Sequence, residues 1–183
     1  MNICIFGASS DNIDPIYPAS VEELCEKMAK RGHSLVYGGG ATGLMAAAAR
    51  GTKRGGGKVF GFAPSYFRTP GVLCEDCTEL QFTDTMRERK QLMEDRSDAV
   101  IATPGGNGTF EEFFEILTLR QIGQYRKPIA VFNINGYYNR MLEMIDGGIQ
   151  EGFIHSVVPS LFLVSSDIDE ILDYLESEVN STK

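Results

Sequence analysis

The sequence has few of the cysteines and histidines from which disulfide frameworks and many metal centres are built, and it has no long apolar run. Its 183 residues include four cysteines, two histidines and no tryptophan. Four cysteines are few for this length and do not resemble the disulfide framework of a small secreted protein. No apolar run approaches the roughly 18 to 20 residues that a membrane span needs. Because the first residues also lack the basic start and long apolar run of a signal peptide, we expect a cytoplasmic protein without a membrane partner.

Two of the cysteines, Cys74 and Cys77, form a lone C-x-x-C pattern. A zinc site would need a second pair of ligands, and the histidines, His33 and His155, are distant in sequence. The acidic residues between the thiols should raise the thiol pKa values, which argues against a thioredoxin-like redox pair. We therefore interpret the pattern as a coincidence in a loop.

Positive charge is also scarce in this chain. It has 17 lysines and arginines against 25 aspartates and glutamates, which gives a formal net charge of −8. Phosphate-dense partners select basic faces, so the composition argues against a nucleic-acid partner. A single mononucleotide is still compatible with this charge, because a few local cations are enough to bind it.

Short apolar runs alternate with helical patterns, which indicates an α/β protein whose parallel sheet has helices on both faces. The expected strands are residues 2–6, Ser34–Tyr37, Lys58–Phe62, about 78–82, Asp98–Thr103, Pro128–Phe132 and Leu161–Val164. The expected helices are Pro18–Arg31, Gly43–Arg54, Asp84–Arg96, Thr109–Gly123, Tyr137–Gln150 and Asp167–Ser177. Residues 64–77 have the composition of a loop, which we expect to be mobile. With no repeat or linker, residues 1–183 are expected to form one doubly wound domain.

Ligands bind to such sheets beyond the carboxyl ends of the strands, so the strand-to-helix turns should hold the site. The first turn, residues 7–10, is a weak signal in which small residues expose amides and Ser9 offers a hydroxyl group. The second, residues 38–43, fits G-x-G-x-x-G, so Gly39 and Gly40 are expected near a nucleotide, although glycines there also serve close helix packing. NAD is not expected, because no acidic residue ends the next strand to bind its ribose.

The third turn, residues 102–112, carries the strongest signal. Its strand ends at Pro104, three glycines follow, and a helix is expected to begin near Thr109. Free amides and the positive end of the helix dipole make such a turn an anion site. Thr109 can cap the helix or donate its hydroxyl to a phosphate. The turn lacks Gly-Lys-Ser/Thr and is therefore not a P-loop.

Charged side chains surround this turn. Glu111 and Glu112 point about 100° apart on a helix, so one can face a ligand while the other faces solvent; both can also simply complement the helix dipole. The helix expected over residues 84–96 carries the densest cations, Arg87, Arg89 and Lys90. A charge run on a helix is more often a solvated face, but the neighbouring anion turn favours a site here.

Together, Met86-x-x-Arg89-Lys90 and Pro104-Gly-Gly-x-Gly-Thr-x-x-Glu112 resemble the paired signature of the Lonely guy (LOG) family. Its members are cytokinin riboside 5′-monophosphate phosphoribohydrolases, long mislabelled as lysine decarboxylases. Further segments match in order, including residues 6–10, 36–45 and 97–101, so the resemblance covers essentially the whole chain. It implies a Rossmann-like fold, a homodimer or larger assembly, and hydrolysis of the base–ribose bond of a nucleoside 5′-monophosphate without a metal ion or cofactor.

The resemblance also implies roles for individual residues. Arg89 and Glu112 would form the catalytic pair, in which the carboxylate stabilises a ribosyl cation and the guanidinium fixes either that carboxylate or the substrate oxygens. The residues expected at the substrate are Gly105, Gly106, Gly108 and Thr109 at the 5′-phosphate, Met86 near the base, and Lys90, Ser9, Gly39 and Gly40. Arg87, Asn107 and Arg120 differ from the residues common in the family, which leaves the preferred base open.

Two other functions, a nucleotide or cofactor carrier and a decarboxylase, have to be compared with the hydrolase. A non-catalytic nucleotide or cofactor carrier could use the same turns, but the presence of both Arg89 and Glu112 favours the enzyme. A pyridoxal-phosphate decarboxylase is rejected, since no lysine stands at a convincing strand end.

The expected helix over residues 109–123 is apolar on most faces, which is compatible with a partner helix in a homodimer or with a central helix of the monomer.

Overall fold

The computed structural model describes residues 1–181 and contains a seven-stranded sheet. The strands are β1 (Asn2–Phe6), β2 (Ser34–Tyr37), β3 (Val59–Pro64), β4 (Glu79–Thr83), β5 (Ala99–Ala102), β6 (Ile129–Phe132) and β7 (Leu163–Ser165). Their order is β4-β3-β2-β1-β5-β6-β7, and all neighbouring strands run parallel. The order reverses at β1, so the expected doubly wound, Rossmann-like fold is confirmed.

Six α-helices cover the two faces of the sheet within residues 1–181. They are α1 (Ile16–Lys30), α2 (Gly43–Arg54), α3 (Met86–Arg96), α4 (Asn107–Gln121), α5 (Asn139–Gln150) and α6 (Ile168–Ser181). Helices α1, α2 and α6 bury apolar side chains on one face, and α3, α4 and α5 do so on the other. Successive residues of β1 alternate between these two cores, with Ile3 and Ile5 in one and Cys4 and Phe6 in the other. A strand buried on both faces needs this continuous apolar character.

Several element boundaries differ from those expected. Helix α4 begins at Asn107 with Gly106 as its N-cap, two residues before the expected start near Thr109, so of the two roles open to Thr109 the capping role is wrong. Helix α3 begins at Met86 instead of Asp84, because Thr85 caps it and forms a capping box with Glu88. Among the helices, α1 and α5 start at Ile16 and Asn139, α1 and α4 end at Lys30 and Gln121, and α6 runs from Ile168 to Ser181. Among the strands, β7 starts two residues late, at Leu163, and ends at Ser165, β3 ends two residues late, at Pro64, and the bounds of β4, β5 and β6 differ by one residue.

The segment over residues 64–77 is tied to the second glycine turn by backbone hydrogen bonds. Ala41 N donates to Val72 O at 3.0 Å, and Cys74 N donates to Gly39 O at 2.8 Å. The segment therefore forms one wall beside this turn. Among residues 1–181, no helix is both long and apolar enough to cross a membrane.

Candidate active site

The turns that follow β1, β2 and β5 line one cavity of about 630 Å³. The first turn contributes Gly7, the second contributes Gly38 and Gly40, and the third contributes Gly106 and Gly108. The cavity therefore lies at the carboxyl ends of the central strands, where the strand order reverses and ligands of doubly wound sheets bind. The three glycine-rich turns meet as the periodicity of the sequence predicts.

A buried ion pair forms one wall of this cavity. Arg89, in the first turn of α3, donates from Nη1 to Glu112 Oε1 at 2.8 Å, and both side chains are 11% exposed. Its Nε donates to Phe62 O at 3.1 Å at the same time. The guanidinium lies so close to Gly38 that a Cβ there would be 2.1 Å from Nη2. Arg89 is therefore held by an acceptor on each side and by a close backbone contact.

The buried position changes the acidity of Glu112. Burial raises the pKa of this carboxyl, the charge and hydrogen bond of Arg89 lower it, and the neighbouring charge of Glu111 raises it again. The net pKa of Glu112 lies above the usual glutamate range. Such a carboxylate binds a proton more readily than an exposed one.

Lys90 and Glu111 form a second ion pair beside this cavity. Lys90 Nζ bridges Glu111 Oε1 and Glu115 Oε2, each at 2.5 Å. Burial lowers the pKa of Lys90, but the hydrogen bonds to Glu111 and Glu115 outweigh it, so the pKa is raised. Lys90 does not line the cavity, whereas Glu111 reaches its rim with a side chain that is 57% exposed. The two adjacent glutamates thus face different surroundings, as helical geometry predicts.

The amino end of α4 opens into the cavity. Its N-cap is Gly106, which has no side chain, and no side chain within residues 1–181 caps this helix. The first amides of a helix have no intrahelical acceptor, so they can donate to a ligand. Thr109 is 4% exposed and lines the cavity, and its hydroxyl lies against Gly105. Gly105 itself is covered by Thr109 and does not line the cavity.

The amino end of α2, after the G-x-G-x-x-G turn, is already occupied by the protein. Gly43 N donates to Asp11 Oδ1 at 2.7 Å, and Leu44 N donates to Ala8 O at 2.8 Å. Met45 N also points at Ala8 O, at 3.4 Å. A dinucleotide pyrophosphate would have to displace these acceptors. Asp11, which sequence reasoning missed, therefore explains physically why this turn is a poor phosphate site.

The remaining expected residues divide between the cavity and its surroundings. Ser9, Gly40 and Met86 line the cavity. Gly39 does not line the cavity; its φ is +74°, and a Cβ at this position would point at Leu80 and Ala63. An apolar part of the lining was missed from sequence and consists of Met45, Phe67, Val72 and Leu73. Three of these lie in the 64–77 segment, where no periodicity marks a buried side.

The pKa values of the two thiols in the C-x-x-C pattern shift in opposite directions. Burial raises the pKa of Cys77 to about 11. For Cys74, hydrogen bonds from Tyr37, the Asp76 backbone and Cys77 lower the pKa despite burial, so the expectation of two raised values is wrong. Asp76 pairs with Lys53 at 2.9 Å, which offsets the negative charge between the thiols. Both thiols are free.

Comparison with solved structures shows the same fold elsewhere. The molybdenum cofactor carrier protein of Chlamydomonas reinhardtii superposes with a TM-score of 0.71 over 98% of each chain, at 20% sequence identity. At this identity the likeness concerns the fold alone.

Comparison of sequences is more specific. The chain is 37% identical over 176 residues to a protein of Oryza sativa subsp. japonica named "Probable cytokinin riboside 5′-monophosphate phosphoribohydrolase", covering 96% of this chain and 83% of that protein. It is 36% identical over 174 residues to a cytokinin riboside 5′-monophosphate phosphoribohydrolase of Arabidopsis thaliana, covering 95% and 80%. The family described as "Possible lysine decarboxylase" matches residues 45–175, which include both halves of the paired signature. The chain therefore belongs to this family, the Lonely guy (LOG) family, as its motifs predict.

Proposed function

We propose that this protein is a hydrolase that cuts the base–ribose bond of a nucleoside 5′-monophosphate and releases the free base and ribose 5-phosphate. The observation that carries the proposal is the buried Arg89–Glu112 pair, 2.8 Å apart, in the wall of a cavity that also receives the amino end of α4. One cavity thus offers a fixed carboxylate and an anion site. The relatives named as phosphoribohydrolases support the same reaction.

The amino end of α4 would hold the 5′-phosphate. The amides of residues 106–109 and the helix dipole favour an anion there, and the Thr109 hydroxyl adds a donor beside them. In a protein with a net charge of −8, this local donor set can replace an extended basic surface.

The Glu112 carboxylate would act on the ribose. As the base departs with the bonding electrons, positive charge develops on the ribosyl centre, and a nearby carboxylate stabilises it. Water then adds to the anomeric carbon; one of its protons goes to Glu112 or solvent, and the base acquires a proton on leaving. Arg89 donates a hydrogen bond to Glu112, so it would hold this carboxylate in place and favour its ionised form.

The base would lie against the apolar part of the lining. Met45, Met86 and Val72 are suited to a flat heterocycle, and Met86 and Val72 are partly exposed at the mouth. The relatives' names support a cytokinin riboside monophosphate or an AMP-like nucleotide as the substrate class.

Incubation with AMP tests the reaction directly. We expect stoichiometric release of adenine and ribose 5-phosphate, measured by chromatography, and much slower release from adenosine, which lacks the phosphate. An N6-substituted adenosine monophosphate serves as the second substrate. Binding of both nucleotides without any base release would contradict the enzyme and favour the nucleotide carrier.

We further propose that the protein is a homodimer. Helix α4 buries Phe113, Ile116 and Leu117 in the monomer core, but Ile122 is 62% exposed just beyond its end. Phe153, after α5, is 88% exposed, and removal of such apolar surface from water by a partner would be favourable. Light scattering at micromolar concentration should give the mass of two chains. The mass of one chain would contradict the proposal.

A further inference from the structure

The carbonyl groups of the third turn accept hydrogen bonds from other parts of the chain. Three donors reach three successive carbonyls: Tyr138 Oη to Thr103 O at 2.6 Å, Ala8 N to Pro104 O at 3.1 Å, and Tyr137 Oη to Gly105 O at 2.6 Å. The third turn is thus bonded to the first turn and to the residues that precede α5. Its carbonyls point toward these supports.

The hydrogen bond from Tyr137 to Gly105 O relates to the direction of the Gly106 N–H group. In a trans peptide the carbonyl and the following N–H point in opposite directions, and no cis peptide occurs within residues 1–181. Because Gly105 O points at Tyr137, the N–H of Gly106 points away from Tyr137. Gly106 lines the cavity and caps α4, so its amide belongs to the proposed phosphate site.

This peptide needs an external restraint. It joins two glycines, whose backbone populates more conformations than that of any other residue. A Cβ at Gly106 would meet nothing within 4 Å, so side-chain packing restrains this peptide only on the Gly105 side, where Thr109 lies close. The hydrogen bond from Tyr137 to Gly105 O is the contact that acts directly on this peptide's carbonyl and favours one direction for its plane.

The Tyr137 ring is itself held in place. The residue follows a 3₁₀ turn over Ile134–Gly136. Its ring packs edge-on against the rings of Tyr17 and Tyr138, whose centroids are 6.0 and 5.0 Å away. The residue is 38% exposed and does not line the cavity. Its phenol can therefore support the turn without touching a ligand.

We propose that Tyr137 is a positioning residue that, through Gly105 O, aims the Gly106 amide at the substrate's 5′-phosphate. The inference rests on the proposed function, since it assigns the phosphate to the amino end of α4. It makes Tyr137 a determinant of affinity for the phosphate half of the substrate and not of the bond-breaking step.

Tyr138 provides the matched control. Its hydroxyl donates to Thr103 O, and the next residue is Pro104, which has no N–H. Loss of this bond therefore redirects no amide. Burial raises the pKa of Tyr138, so its phenol remains a protonated donor. Loss of its hydrogen bond to Thr103 O should therefore lower the thermal stability of the protein.

The test compares Tyr137→Phe and Tyr138→Phe with the unchanged protein. For Tyr137→Phe we expect ribose 5-phosphate binding, measured by calorimetry, to weaken about 3- to 10-fold. KM for AMP should rise similarly, while kcat and the affinity for adenosine should stay within about twofold. For Tyr138→Phe we expect a lower melting temperature with unchanged affinity for ribose 5-phosphate.

Two results would overturn the inference. One is an unchanged affinity of Tyr137→Phe for ribose 5-phosphate, and the other is an equal weakening of ribose 5-phosphate and adenosine, which indicates a general structural role. The binding measurement does not require turnover. If Tyr137→Phe weakens ribose 5-phosphate selectively but the unchanged protein releases no base from AMP, the proposed hydrolysis fails and the positioning role stands.

Discussion

Replacing Glu112 by glutamine is expected to lower kcat for base release from AMP by about 10²- to 10³-fold while nucleotide binding persists. Glutamine keeps the size of the side chain and can still accept the 2.8 Å hydrogen bond from Arg89. It lacks the negative charge that stabilises the ribosyl cation and cannot take a proton from water. Steady-state kinetics with AMP, together with calorimetric binding of AMP, measure the two effects separately.

The adjacent Glu111 is the natural control for this substitution. Its side chain is 57% exposed and paired with Lys90, so Glu111→Gln should change kcat by less than about threefold. Near-full activity of Glu112→Gln together with an inactive Glu111→Gln would show that the functional carboxylate is misassigned. Full activity of both variants would contradict the mechanism itself.

The sequence predicts the fold and the meeting of the three turns for simple reasons. Short apolar runs such as Ala99–Ala102, between helical patterns, are typical of strands that helices cover on both faces, and parallel strands bring their carboxyl-end turns to one edge. The start of α4 was missed by two residues, because Gly106 caps it through its extended backbone and not through a side chain. A cap of this kind leaves no residue-type signal before the helix.

The chemistry of the site is less evident from the residues alone. Arg89 and Glu112 lie 23 positions apart on different helices, and it is the family signature, not their spacing, that pairs them. Asp11 and Tyr137 were not recognised, because each acts on a backbone group 32 positions away. Local patterns contain no trace of such contacts, which arise only when the strand order brings distant turns together.

A methyl group at position 38 should disable the site without removing either charged residue. The Cβ of Gly38→Ala would lie 2.1 Å from Arg89 Nη2 and 3.1 Å from Arg89 Cζ, so the guanidinium must move. Both atoms are at the end of a flexible side chain, and the backbone need not shift. We expect kcat for AMP hydrolysis to fall roughly 10²-fold, the cost typical of a misplaced catalytic group, with Arg89→Ala behaving similarly.

The pH profile identifies the cause of this loss. The charge and hydrogen bond of Arg89 lower the pKa of Glu112 against the effect of burial, so displacing Arg89 should raise that pKa further. Because the ionised carboxylate is the active form, activity lost on acidification should be lost at a higher pH in Gly38→Ala. Gly147→Ala in α5, where a Cβ meets nothing within 4 Å, is the control and should match the unchanged protein in kcat and pH profile. A Gly38→Ala variant with normal kcat and an unshifted acidic limb would mean that the Arg89–Glu112 contact is not needed for catalysis.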